Sequence, residues 1–164
     1  MGALALSPVD SSAQAGWAQA MGFGVAIPFV SHLGFELMAF AEGNSEIKYA
    51  PKPEHLNSFH VTHGGALMTL LDVSMATAAR SIEPGMGVVT IEMKTSFMQP
   101  AMPGGGPLTA KGNLMHRTAT MAFTQSTVFD AKGRACAHAT GTFKFVKRLP
   151  TGPKSTHALN ISTD

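Results

Sequence analysis

The sequence predicts an α+β fold in which one long apolar helix lies against a single curved antiparallel sheet. Apolar residues recur at steps of three and four between Ala66 and Ala79, which is the period of a helix. Two strand-like segments precede this helix and four follow it. A helix that is apolar around most of its circumference must be covered, and a curved sheet is what the rest of the chain can supply.

The helices and strands are predicted in chain order from hydrophobic periodicity and from turn-forming residues. A short helix is expected over residues 27–32, and then a hairpin of strands 34–40 and 45–50 that turns at residues 42–44. Residues 51–63 contain two prolines and several polar side chains, so they are predicted to form an ordered loop that leads into the central helix. Residues 83–85 end that helix. Four strands follow, at 87–98, 108–116, 120–130 and 134–146.

Length and composition favour one domain. A chain of 164 residues can bury one complete core and is too short for two ordinary domains. We expect the domain to span residues 25–148, with a mobile extension at 1–24 and a disordered tail at 149–164. Only 13% of the residues are charged, so another subunit is expected to cover part of the surface.

Charge and hydropathy exclude several partners. The net charge is only +2, and no run of basic residues is longer than Lys147-Arg148, which argues against nucleic acid. No apolar run reaches the length of a membrane span, and the first lysine is Lys48, so the start lacks the basic region of a secretory signal. We therefore expect a cytoplasmic protein without a membrane partner.

Asp72 is the strongest functional clue in the chain. It is the only charged residue between Gly64 and Ala79, and a carboxylate on an apolar helix costs several kcal/mol to bury unless a partner or a reaction uses it. Gly64 and Gly65 begin the same helix, where backbone N–H groups and the helix dipole favour a negative ligand. Each feature also has a plain structural explanation, as a hydrogen-bonded carboxylate and as a flexible helix entry.

A resemblance to a known family rests on the spacing around His63-Gly64-Gly65. Asn57 lies six residues before the histidine, Asp72 lies nine after it, and the strand segment 90–100 reads Thr-Ile-Glu-Met-Lys-Thr-Ser-Phe-Met-Gln-Pro. Over residues 34–146 the chain resembles the hotdog-fold acyl-CoA thioesterases of the phenylacetate-degradation (PaaI-like) type. The resemblance implies the hotdog fold, hydrolysis of an acyl-CoA to a carboxylic acid and free coenzyme A, and a homodimer with composite sites, often paired into a homotetramer. It implies no metal and no cofactor, since coenzyme A is part of the substrate.

The resemblance also implies roles for individual residues. Asp72 would be the general base or the nucleophile, the Gly64 N–H would donate to the oxyanion, and Asn57 would hold the thioester carbonyl or orient the attacking group. Thr90 would position the water. Around this centre, His63 is expected to order the loop and Gly65 to contact the substrate. The turn residues His116, Arg117 and Thr118 are candidate contacts for coenzyme A.

Helix geometry alone argues for a shared site. Eight residues separate Gly64 from Asp72, which is roughly 12 Å along a helix axis. Both cannot serve one carbonyl within one chain, whereas a two-fold dimer could bring them together in two composite sites.

Two other functions stay open at this point. A hotdog hydratase or dehydratase would use His60 or His63 as proton carrier beside an acidic residue, and a non-catalytic acyl-CoA binder would have no need of Asp72. A metal at His60 and His63 is a weaker hypothesis, because no third ligand stands at a recognisable spacing. The acyl group is not predicted.

Overall fold

The computed structural model describes residues 20–147 and confirms the predicted order of two strands, one long helix and four strands. The helices are α1 (Pro28–Leu33) and α2 (Gly64–Arg80), with a single 3-10 turn at Pro53–His55 in the loop before α2. The strands are β1 (Glu36–Ala41), β2 (Asn44–Tyr49), β3 (Met86–Phe97), β4 (Leu108–Arg117), β5 (Met121–Phe129) and β6 (Ala135–Lys147).

One six-stranded sheet, in the order β1-β2-β4-β5-β6-β3, wraps around α2. Every neighbouring pair of strands is antiparallel, and α2 contacts all six strands. The apolar residues that recur along α2 are the ones that pack on the sheet, and Leu70, Leu71 and Met75 are fully buried. The predicted α+β architecture is therefore confirmed, and its core lies between the helix and the concave face of the sheet.

The helix approaches β4 so closely that only glycine fits beneath it. A Cβ placed on Gly112 would lie 2.5 Å from the backbone oxygen of Ser74 and 2.6 Å from the Ser74 Oγ. Three buried serine hydroxyls bridge the same layer, because Ser126 Oγ donates to Ser74 Oγ at 3.0 Å and Ser45 Oγ donates to the Ser74 carbonyl at 2.7 Å. The buried polar groups beside Gly112 thus satisfy one another.

Strand β3 changes the face of its side chains partway along. Opposite β6, residue Thr90 pairs with Phe143 and Glu92 pairs with Thr142, so Ile91 is an extra residue in a β-bulge. Before the bulge, the even-numbered residues Met86, Val88 and Thr90 face α2, and after it Met93, Thr95 and Phe97 do. One strand therefore presents both Thr90 and Phe97 to the same helix.

The two edges of the sheet differ. At β1 the N–H of Met21 donates to the Leu37 carbonyl at 2.6 Å, so a residue of the segment predicted as a mobile extension covers part of that edge. At β3, nothing in the described range 20–147 pairs with the outer side, and Val89 and Ile91 are exposed there. Residues 1–19 of the predicted extension and the predicted tail at 149–164 lie outside the described residues.

No helix within residues 20–147 combines the length and the apolar character needed to cross a membrane. The ends of the helices and strands agree with the predicted ends within two residues. The difference that bears on the site is at the start of α2. The apolar period itself starts at Ala66, and α2 begins two residues earlier at Gly64, as the glycine pair predicts, with the His63 side chain as its cap.

Candidate active site

Asp72 lies midway along α2 and faces β3. Its Oδ1 accepts a hydrogen bond of 2.7 Å from the Thr90 hydroxyl, which fixes the orientation of the carboxylate. Burial raises the pKa of Asp72 above the ordinary value of an aspartate, and the hydrogen bond from Thr90 opposes part of that rise. A carboxylate with a raised pKa is a stronger base than an exposed aspartate, which suits proton abstraction from water.

A cleft of about 320 Å³ opens beside Asp72 and Thr90. One wall is the face of α2 beyond Asp72, and the other is the start of β3. The remaining lining residues are mainly apolar, and they are Phe23, Val25, Ile27, Val30, Val73, Ala76, Thr77, Arg80, Gly87 and Val88. We call this the Asp72 cleft, and its composition suits an apolar group such as an acyl chain.

A second cleft, also of about 320 Å³, lies at the start of α2. Asn57 and Gly64 line it, together with Val61, Thr62, Leu67, the last residue of β3 (Phe97) and the segment 98–101 that follows β3. We call this the Gly64 cleft. Phe97 forms its wall against the helix, since a Cβ placed on Gly64 would lie 3.3 Å from the Phe97 Cζ.

The first turn of α2 leaves one backbone donor for a ligand. His63 is the N-cap residue, and its Nδ1 accepts from the Gly65 N–H at 2.9 Å. The N–H of Gly64 has no hydrogen-bond partner among residues 20–147, and it stands at the positive end of a 17-residue helix. Gly64 rather than Gly65 therefore has the free N–H that an oxyanion would need.

Asn57 holds its own loop with one end of its side chain. Its Oδ1 accepts from the N–H groups of Phe59 at 2.9 Å and Val61 at 3.3 Å, which is the common use of asparagine in a turn. The amide nitrogen makes no hydrogen bond to any described residue, so it can donate into the Gly64 cleft. Asn57 can thus offer a donor to a carbonyl and cannot use its oxygen to orient a water.

Within one chain the predicted residues form two pairs and not one site. Asp72 and Thr90 share the Asp72 cleft, while Asn57 and Gly64 share the Gly64 cleft. Eight residues of continuous α2 separate Gly64 from Asp72, which places them roughly 12 Å apart along the axis.

The predicted coenzyme A contacts line neither cleft in the described chain. Arg117 donates to the Glu83 carboxylate at 2.7 Å and lies 5.3 Å from the centre of the Phe145 ring. Thr118 closes the turn between β4 and β5, where its Oγ1 accepts from the Met121 N–H at 3.0 Å, and His116 stacks on Phe123. These contacts give all three residues structural roles, and their contact with coenzyme A stays a prediction.

The two loop histidines do not converge on a common centre. His60 is exposed and holds a positive φ of 57° in the loop, while His63 uses its Nδ1 to cap α2. Among residues 20–147 no group of three or more histidine, cysteine, aspartate or glutamate side chains could hold a metal ion.

Among the cleft residues that the sequence-based predictions omit, Phe97 and Arg80 matter most for the site. Phe97 lies against Gly64 through the fold of β3, and no local pattern in the sequence indicates this contact. Arg80 lines the Asp72 cleft, and here a signal exists: it follows Asp72 by eight residues, so both lie on one face of the helix.

Comparisons with known proteins agree with this architecture. Residues 59–137 match the sequence profile of the Thioesterase superfamily. A protein of Saccharolobus solfataricus, named "Putative esterase", is 26% identical over 115 residues that cover 70% of this chain and 81% of the relative.

Two solved structures illustrate the shared fold. The PaaI protein of E. coli, from the phenylacetic acid degradation operon, has a TM-score of 0.67 at 22% identity and covers 72% of this chain and 83% of its own. A thioesterase of Haemophilus influenzae has a TM-score of 0.67 at 23% identity, with coverage of 75% and 85%. The curved sheet around one long helix is the hotdog fold, and the predicted fold class is confirmed.

Proposed function

Because this chain belongs to the thioesterase superfamily, we propose that it hydrolyses acyl-CoA thioesters in a site shared by two subunits. The superfamily supports thioester hydrolysis in general, and the identity of the thiol and the residues that act are our proposal. One observation carries it: the base and the oxyanion donor that the reaction needs occupy different clefts of the same chain. Each cleft is incomplete alone, so a second copy of the chain must supply the missing half.

The free edge of β3 offers the means to bring two copies together. This strand has 12 residues, and its outer edge is unpaired within residues 20–147. A long unpaired edge with exposed apolar residues such as Ile91 pairs readily with another strand. Pairing two β3 strands about a two-fold axis would continue the sheet across the dimer and bring the Asp72 cleft of one subunit towards the Gly64 cleft of the other. We propose this homodimer, with pairing into a tetramer as a further step.

The chemistry follows from the two half-sites. Asp72, held by the Thr90 hydroxyl, takes a proton from a water molecule, and that water attacks the thioester carbonyl. The Gly64 N–H and the Asn57 amide nitrogen of the partner subunit donate to the oxygen that becomes negative. The C–S bond then breaks, coenzyme A leaves as the thiol with the proton from Asp72, and the acid remains. No cofactor takes part.

A covalent route uses the same residues differently. Asp72 would attack the carbonyl itself, the C–S bond would break with departure of the coenzyme A thiolate, and water would then hydrolyse the resulting anhydride at its aspartyl carbonyl. A single turnover in ¹⁸O-labelled water separates the two routes. Label in the acid product alone indicates a general base, whereas label in the Asp72 carboxylate indicates a nucleophile.

Subunit mixing tests the proposal as a whole. Gly64→Val blocks the Gly64 cleft and Asp72→Asn removes the base, so each variant alone should be inactive in an assay of thiol release. After exchange of subunits, about half of the dimers would be mixed, and each mixed dimer would contain one site with both intact residues. Activity should return to about one quarter of the wild-type level.

Two controls make the result decisive. Mass spectrometry must show that subunits exchanged. A double variant carrying both changes, mixed with an equal amount of wild type, should fall from about one half to about one quarter of the wild-type activity on exchange, because neither site of its mixed dimers has both intact residues. Continued inactivity after verified exchange would mean that the acting groups belong to one chain and that one assignment is wrong. Loss of enoyl absorbance without thiol release would favour a hydratase instead.

A further inference from the structure

We propose that Arg80 selects acyl groups whose far end carries a carboxylate. The inference rests on the proposed function, because it assigns the acyl chain to the Asp72 cleft. It concerns substrate class, which neither the spacing of the catalytic residues nor the similarity to other thioesterases addresses.

The first observation is that Arg80 lacks a partner suited to its charge. Its Nε is buried and makes no hydrogen bond, and its Nη2 donates only a long bond of 3.5 Å to the Phe23 carbonyl. No carboxylate within residues 20–147 forms an ion pair with it. By contrast, Arg117 and Arg134 reach carboxylate oxygens at 2.7 and 2.8 Å. A buried donor without a partner is costly, so it calls for an explanation.

The second observation is where Arg80 stands. Asp72, Ala76 and Arg80 follow one another at steps of four along α2, so they share one face of the helix. All three line the Asp72 cleft, and the Asp72 and Arg80 backbones are roughly 12 Å apart along the axis. The reacting carboxylate and the guanidinium therefore stand at two ends of one cleft.

The third observation is what lies between them. Val73, Ala76, Val88 and Ile27 line the same cleft with apolar surface, and Val73 and Ala76 lie between Asp72 and Arg80 along α2. A straight or cyclic hydrocarbon body fits this apolar part, and its carbonyl end would lie at Asp72. The other end of such an acyl group would then meet Arg80.

The chemistry of that end follows from the guanidinium. A terminal carboxylate can accept two parallel N–H bonds from Arg80, including one from the unpaired Nε. A terminal methyl group would fill the same space and leave the buried Nε without a partner. A site that contains an unpaired buried donor discriminates strongly against the ligand that cannot satisfy it.

Matched substrate pairs test the inference. We would measure kcat/KM for suberyl-CoA against octanoyl-CoA, and for sebacyl-CoA against decanoyl-CoA, so that each pair differs only in the terminal group. The carboxylate-ended substrate should be preferred by about ten- to hundredfold, the range expected for hydrogen bonds to a charged group.

Three variants assign the preference to Arg80. Arg80→Met keeps the length of the side chain and removes its charge, so the ratio between the paired substrates should fall close to one. Arg80→Lys keeps a charge without the fork of donors and should retain part of the preference. Arg134→Met removes a guanidinium that pairs with Asp130 at the β5–β6 turn, outside the Asp72 cleft, and should keep the full preference.

The outcomes separate this inference from the proposed function. Hydrolysis of both members of a pair at equal efficiency overturns the role of Arg80 and leaves the thioesterase intact. Hydrolysis of neither member of any pair counts against the proposed function for straight-chain thioesters, and calorimetric binding to Asp72→Asn protein then decides the role of Arg80. If the Asp72→Asn protein binds suberyl-CoA more tightly than octanoyl-CoA, and adding Arg80→Met removes this difference, the role of Arg80 is supported. Equal affinities for the two ligands overturn it.

Discussion

Replacing Asp72 by asparagine should make the protein more stable while it removes turnover. Burial disfavours the charged form of Asp72 and raises its pKa, so near neutral pH the fold holds a charge at a position that favours a neutral group. Asparagine retains the hydrogen bond, because its amide oxygen can accept from the Thr90 hydroxyl in place of Oδ1. Removing the charge at constant hydrogen bonding should increase the free energy of unfolding by about 1 kcal/mol, or roughly 3 °C in Tm for a chain of this size.

The pH dependence gives the sign of this effect independently. Because the pKa of Asp72 is raised in the folded state, the folded chain binds a proton more readily than the unfolded chain. The contribution of Asp72 to stability therefore falls as the pH rises from the ordinary pKa of an aspartate through the raised value. The difference between the asparagine variant and the wild type should be largest at neutral pH and should vanish in acid.

Urea unfolding at a series of pH values and at fixed subunit concentration measures this difference. Thr69→Ala on the same helix is a control, since it changes an exposed hydroxyl that bonds the Gly65 carbonyl, and its effect should not vary with pH. If the asparagine variant is less stable than the wild type at neutral pH, Asp72 is a structural carboxylate. That result would remove the physical reason for placing a reaction at it.

Three further outcomes are expected. Thr90→Val should lower kcat/KM by about tenfold, because it removes the hydrogen bond that orients Asp72. It should also move the acid limb of the pH profile to higher pH, since that hydrogen bond lowers the pKa of the Asp72 carboxyl. An unchanged pH profile would contradict this. Gly112→Ala should destabilise the fold by about 3 kcal/mol in urea unfolding, because its methyl group would overlap the helix backbone, and a loss below the error of the measurement would refute the packing argument. Ile91→Lys should convert the dimer to monomers, which light scattering measures. Met115→Lys, at a residue equally exposed on β4, should stay at least dimeric. Dimers of both variants would place the interface elsewhere.

Most of the fold was predictable because it follows local rules. The helical period between Ala66 and Ala79, the alternation in β6 and the short turn after Asp130 each depend on neighbours in sequence, and each corresponds to an element of the structure. The apolar period alone does not give the cap of α2 before Gly64. Its cap is the ring nitrogen of His63, and histidine is not among the residues that usually indicate a helix start.

The candidate site was predictable in its residue types and not in its contacts. Spacing along one helix was enough to separate Gly64 from Asp72, because helix rise is fixed. Phe97 contacts Gly64 and Thr90 contacts Asp72, so both contacts join β3 to α2. Which β3 side chains face α2 depends on the bulge at Ile91, and no residue type in the strand predicts that bulge. Arg80 could have been found from its position eight residues after Asp72, but a charged residue near a helix end is usually attributed to solvent.

Because Ile91 is an extra residue in β3, the number of residues in this strand is more important for the site than their identity. With strict alternation, a strand could direct Thr90 to the helix or Phe97 to the helix, but not both. Deleting Ile91 would turn one half of the strand over, so that either the carboxylate would lose its hydroxyl partner or the Gly64 cleft would lose its wall. Substitutions that keep the residue count leave both alignments in place. Insertions and deletions of single residues between Thr90 and Met93 should therefore be far more damaging than replacements there, although this segment is an exposed edge.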